Sequence, residues 1–346
     1  MEEVPADEFD DGGDETNIVY NGGMRKKNYK IFFVVCSVIL MLGVVAVWLN
    51  FGVIKDVLVG MGYRPTSEMV EIREALKLTG TGARIFNASM PVLQEKQEFN
   101  SNCREVENES AILGCYRDER IFVYNIVDEE LPGIRELTAA HELLHAVYSR
   151  MNSEDKDKWR NDLIAVYQEN QGILGEEIDL YDDSEKQEEL YVRVGTEIAD
   201  LPDGLEKHYA EIFEDQDKIA GYYNSYIKVF REIEAKLEDL YGKITGLDEK
   251  IVAKTSEYEA SLEALNGEIA EFNNCAATAN CFSSVYVFNR RRAELLGKKE
   301  ALDGLYDEIS ALIDQYNELI EEYNEYALHG QTLNMAINSS EKVEGI

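Results

Sequence analysis

The chain has 346 residues, enough for two or three structural units, and a formal charge of −34 from 68 acidic against 34 basic residues. With no long basic stripe to displace counterions, this composition argues against nucleic acid as a partner. Of the five prolines none lies beyond Pro202, so the second half of the chain is free to form very long helices.

Residues 1–24 carry Glu2, Glu3, Asp7, Glu8, Asp10, Asp11, Asp14 and Glu15 with two Gly-Gly pairs, the composition of a disordered acidic tail. Residues 25–30 are basic, with Arg25, Lys26, Lys27 and Lys30. Ile31 to Leu49 contains no charge, and with Phe51 to Ile54 it predicts a membrane-spanning helix over 31–54. A helix this uniformly apolar inside a soluble protein would need a core on every side. Only Lys55 and Arg64 follow closely, so the positive-inside rule leaves the N-terminus cytoplasmic and sends the rest of the chain outside. No small-x-small site follows the apolar run, which therefore reads as an uncleaved anchor in the cell membrane.

Residues 64–220 read as a small α+β domain. Ala83–Met90, Ala111–Tyr116 and Arg120–Val127 have the residue types of strands, and Arg117-Asp118-Glu119 suits a tight hairpin between the last two. Pro132-Gly133 then punctuates the chain before a helix carrying His141-Glu142-Leu143-Leu144-His145. Residues four apart share one helix face, so both imidazoles can hold one ion, while Glu142 stands one step round, where a carboxylate can accept a proton from water. Cys103 with Cys115 and Cys275 with Cys281 form two close pairs in polar sequence. That spacing predicts disulfides in an oxidising compartment rather than a zinc knot.

On its HExxH helix the chain resembles the zincin metallopeptidases. Tyr148 to Ser153 lacks the glycine and third histidine of the HExxHxxGxxH group, so the resemblance is to the gluzincins, whose third ligand is a glutamate on a later helix. It implies one catalytic Zn2+ held by His141, His145 and Glu189, with Glu197 as the alternative third ligand, and a protein or peptide substrate. A step of eight residues turns a helix by about 80°, so Glu189 and Glu197 do not both reach one ion. His208 or Tyr209 is the counterpart of the gluzincin residue that steadies the oxyanion.

From residue 221 to 328 the pattern becomes heptads. Phe230, Leu237, Ile244, Ile251, Tyr258, Leu265 and Phe272 recur every seventh residue, and Phe288, Leu295, Leu302, Ile309, Tyr316 and Tyr323 do so on the return. Two such runs around a polar tip at 273–284 predict an antiparallel coiled-coil hairpin, stapled by Cys275 and Cys281. The same seams serve self-association or a protein partner equally well. Residues 329–346 show no period and read as a flexible C-terminus.

The expected fold class is α+β, predominantly α: one N-terminal transmembrane helix, a zincin-like domain and a long helical hairpin. The expected function is a membrane-anchored zinc metallopeptidase with Glu142 as general base. The rival is a non-catalytic, membrane-tethered coiled-coil adaptor in which HExxH is fortuitous.

Overall fold

The computed structural model describes residues 23–103, 112–178, 181 and 183–338, so most of the acidic tail expected over 1–24 lies outside the described residues. The chain forms two compact units, Met1–Val57 and Leu58–Ile346, and is predominantly helical.

In the first unit, helix α1 (Gly23–Leu49) runs through the basic 25–30 stretch and the apolar run. Its Phe32–Leu49 segment is long and apolar enough to cross a bilayer, and none of it is buried. Such length and composition serve a membrane span and a signal sequence equally. The helix expected over 31–54 is interrupted only at Asn50 and continues as α2 (Phe51–Gly62), with Asn50 N–H to Ala46 O and Ile54 N–H to Asn50 O carrying the helical bonding across. The Asn50 side-chain amide donates to the Ala46 carbonyl at 2.8 Å, the local competition for helix carbonyls that disfavours Asn inside helices.

The second unit continues with α3 (Ser67–Ala75) and α4 (Gly80–Ala88). The expected strand at 83–90 is therefore mostly helix. The Thr79 hydroxyl caps α4 by accepting from the Gly82 N–H at 3.1 Å, and Ile85, Phe86 and Ala88 bury one helical face. Next come β1 (Val92–Gln94), α5 (Lys96–Cys103), β2 (Gly114–Arg117) and β3 (Arg120–Tyr124). The sheet order is β1-β3-β2, with β1 parallel and β2 antiparallel to β3. Asp118 and Glu119 both have positive φ, 52° and 62°, as a two-residue type I′ hairpin turn requires. A disulfide between Cys103 and Cys115 ties α5 to β2, over a small core with Phe99 and Phe122.

Helix α6 (Ile134–Arg150) carries the HExxH residues and is buried on most sides. It starts after Gly133, whose φ of 83° suits glycine and where a Cβ would come within 2.5 Å of the Tyr222 ring. Then follow α7 (Ser153–Glu169), α8 (Gln171–Ile178), α9 (Asp183–Glu197) and α10 (Asp203–Tyr209). Helices α6 and α9 pack against each other in the main core through Leu143, Leu144, Leu190, Val194 and their neighbours.

Two long helices follow, α11 (Gln216–Ala277, 62 residues) and α12 (Val285–Ile337, 53 residues). Ion pairs Lys236–Glu322, Lys254–Glu308 and Arg291–Glu268 run in opposite sequence order, so the helices lie side by side and antiparallel. Leu240, Ile244, Leu265, Leu295, Leu302 and Ile309 are buried along them. A disulfide joins Cys275 to Cys281 at the turn, which is shorter than the expected 273–284 because α11 continues to Ala277. The C-terminus differs from expectation too. Residues 329–337 are helical, with Leu333 and Ile337 buried against Ile126, Leu131, Ile134 and Ile233. Two apolar residues four apart are too few to register as a period, yet enough to dock one helical turn. Residues 339–346 lie outside the described residues.

Candidate metal centre

The four-residue spacing on α6 brings His141 and His145 onto one face, with their Nε2 atoms 3.3 Å apart. From the packed helix α9, Glu189 reaches the same point. Its Oε1 lies 3.6 Å from His141 Nε2, and its Oε2 lies 3.5 Å from His145 Nε2. The three residues offer ligand atoms all within 4.8 Å of one another, so the group can hold a metal ion. The Glu189 side chain is 4% exposed and the histidines 20% and 14%, so the carboxylate is the most deeply buried of the three.

The protonation states suit a cation. Burial, then His145, then the Arg193 guanidinium hold the pKa of His141 well below its usual value, which keeps its ring neutral. His145 Nδ1 lies 2.9 Å from Glu188 Oε1. A carboxylate only accepts, so the Nδ1–H donates to Glu188 and Nε2 is turned toward Glu189 and His141. Two imidazole nitrogens and a carboxylate thus converge in a mostly buried place. Electrostatically that is a cation's environment.

Glu197, the alternative third ligand, is not in this group. Both of its oxygens accept from Arg193, at 2.8 Å and 3.1 Å, in a buried bidentate pair within α9. Glu142, 2% exposed, faces the sheet. A Cβ on Gly114 would lie 2.6 Å from Glu142 Oε1 and 2.6 Å from Thr138 Cγ2, so only glycine lets β2 approach the helix this closely.

His208 and Tyr209 are not brought to the three ligand residues. Tyr209 is fully buried and its hydroxyl donates to the Tyr191 carbonyl at 2.6 Å. His208 Nε2 and the Tyr191 hydroxyl are hydrogen-bonded at 3.0 Å, and Trp159 packs over the imidazole. Tyr191 projects about 200° round the helix from Glu189, so this aromatic cluster belongs to another face of α9. Burial lowers the pKa of His208 to about 4 and raises that of Tyr191, so both are neutral near pH 7.

Three contributors were not anticipated: Glu188, Arg193 and Gly114. Each had a faint sequence signal. A metal-bound histidine wants an acceptor for its other nitrogen, and the doublet Glu188-Glu189 offers one beside the ligand. Arg193 stands four residues from both Glu189 and Glu197, the spacing of intrahelical ion pairs. Gly114 is a glycine inside a strand, which often marks close backbone approach. The chain matches no family model, no curated protein and no solved structure, so its own geometry carries the functional argument.

Proposed function

We propose that this chain is a membrane-anchored zinc-dependent endopeptidase of gluzincin type, acting outside the cytoplasmic membrane. The observation that carries this reading is the convergence of His141, His145 and Glu189 beside a buried Glu142. The chemistry of the donor set supports zinc: two imidazole nitrogens and one carboxylate suit it, whereas magnesium and calcium take oxygen ligands.

Bound in this donor set, zinc supplies Lewis acidity that makes a water nucleophilic near neutral pH. The residues do the rest. His141 stays neutral, Glu188 orients the His145 ring, and Glu189 contributes a carboxylate. Glu142 would accept the proton of the attacking water and deliver it to the leaving amine, and the close approach of Gly114 fixes where its carboxylate sits. Phe32–Leu49 serves as an uncleaved anchor, with Arg25, Lys26, Lys27 and Lys30 on the cytoplasmic side. The paired helices α11 and α12 form a coiled-coil arm on the peptidase unit.

The test is metal content and hydrolysis together. The purified chain is expected to carry about one zinc, lost on His141→Ala or His145→Ala. Glu142→Gln is expected to keep the metal and lose cleavage of an unfolded protein substrate by at least a hundredfold. A protein that takes up no zinc when supplied with it would overturn the reading in favour of a tethered helical adaptor. Undiminished hydrolysis by Glu142→Gln would remove the assigned base.

A further inference from the structure

We propose that the tip of the α11–α12 hairpin binds the surface of an anionic phospholipid bilayer, independently of the metal centre. The first observation is compositional. In a chain that is 29% charged, Phe272 to Asn289 contains no charged residue, and Arg290-Arg291-Arg292 follows at once. From residue 269 to 293 there is one carboxylate, Glu271, against those three arginines, whereas the whole chain carries −34.

The second observation is where these side chains lie. Phe272, Phe282 and Phe288 pack on one another with ring centroids 5.1 to 5.3 Å apart, and the Cys275–Cys281 disulfide closes the turn beside them. The turn is thus braced from within, while Val285 and Tyr286 stay 76% and 73% exposed. At 100° per residue Arg292 falls about 20° from Val285, and Arg290 about 40° from Tyr286. Both arginines therefore share the face of the exposed apolar pair. They sit roughly 6 to 10 Å farther down the arm, since a helix rises 1.5 Å per residue. Arg291 turns inward to Glu268 and Glu294, and Arg290 reaches Glu294 only at 3.7 Å. Arg292 is exposed and makes no ion pair among the described residues.

An uncharged wedge with a cationic collar that far behind it matches a lipid interface. There apolar side chains enter about 5 to 10 Å, and arginines remain among the phosphates. An acidic protein would satisfy the arginines but leaves the eighteen-residue uncharged cap without a role. A second copy joined tip to tip would bring six arginines together.

The experiment uses the full chain in phosphatidylcholine nanodiscs, co-sedimented with vesicles of phosphatidylcholine alone or with phosphatidylglycerol added. A second arm places Tyr286→Trp in discs containing phosphatidylglycerol and brominated acyl chains. Quenching above the background of Trp48 and Trp159 then reports contact with the chain's own bilayer. Binding to anionic vesicles, or quenching in the second arm, supports the proposal and tells a facing bilayer from the chain's own. Replacing Arg290 and Arg292 with Gln is expected to weaken binding roughly 25-fold, about fivefold for each arginine near an anionic surface. Val285→Ser with Tyr286→Ser is expected to weaken it further, and all variants should melt like the parent because these positions are exposed. Failure of both arms, equal binding to neutral vesicles, or binding indifferent to the tip substitutions overturns the proposal. Capture of polyglutamate with no binding to vesicles also overturns it and reassigns the tip to an acidic protein.

Discussion

Replacing Glu188 by alanine separates a residue that orients a ligand from one that binds. The hydrogen bond at stake is 2.9 Å long and charge-assisted, from His145 Nδ1 to Glu188 Oε1. Loss of such a supporting carboxylate weakens metal affinity about 10- to 100-fold. The Glu188 side chain is 37% exposed, so water substitutes in part, and the expectation is the lower end: about tenfold, or roughly 1.4 kcal/mol. Glu189→Ala removes a donor from a site 4% exposed and is expected to cost far more than Glu188→Ala. The assay is zinc competition against a chromophoric chelator at pH 7, with thermal melts to confirm folding. Glu188→Gln, which keeps an acceptor but no charge, should fall between the parent and Glu188→Ala. If Glu188→Ala binds zinc as tightly as the parent while Glu189→Ala does not, the orienting role assigned to Glu188 is wrong. If Glu189→Ala also binds normally, the site itself is misassigned.

Glu197→Gln should leave zinc stoichiometry at the parent value but lower stability by about 3 kcal/mol in urea titration, because it strips a buried guanidinium of its charged bidentate partner. Zinc loss without loss of stability would instead make Glu197 the ligand. Gly114→Ala places a methyl 2.6 Å from the Glu142 carboxylate, so steady-state assays should show kcat reduced at least tenfold with zinc retained. His208 has a folded pKa of about 4 against an ordinary value near 6.5, so below pH 6.5 the unfolded chain binds a proton that the folded one refuses. Its contribution is complete above pH 6.5 and is lost as pH falls toward 4. Between pH 7 and 5 the loss is on the order of 1 kcal/mol after allowance for solvent screening at a half-buried ring. His208→Gln should flatten that part of the stability–pH curve in chemical denaturation; an unchanged slope would refute the assignment.

Local periodicity made much of this molecule legible before its structure. The β2–β3 hairpin followed from alternating strand residues around Asp118-Glu119, and the two long helices followed from heptads uninterrupted by proline. The cysteine pairing followed from proximity in sequence. Long-range packing was not legible. Gly80–Ala88 is short and rich in small and β-branched residues, so its helical state rests on the Thr79 cap and on burial of Ile85 and Phe86. Within the site, the paired histidines declare themselves by spacing alone. The choice between Glu189 and Glu197 could not come from spacing. The structure separates them: both Glu197 oxygens accept from Arg193, and the Glu189 oxygens lie against the two imidazoles. In so acidic a chain the doublet Glu188-Glu189 is only a faint mark, and it is the bond with His145 Nδ1 that singles out Glu188.

The seating of Ile134 has a temporal meaning. This residue opens the helix that bears both histidines, and the wall it leans on includes Leu333 and Ile337, far downstream in the chain. A ribosome that has released residues 1–320 has delivered His141, His145 and Glu189 but not the surface that seats the histidine helix. Settling of the candidate metal centre therefore waits for the last turns of α12. A product cut short before Leu333 would carry the three residues without that seat.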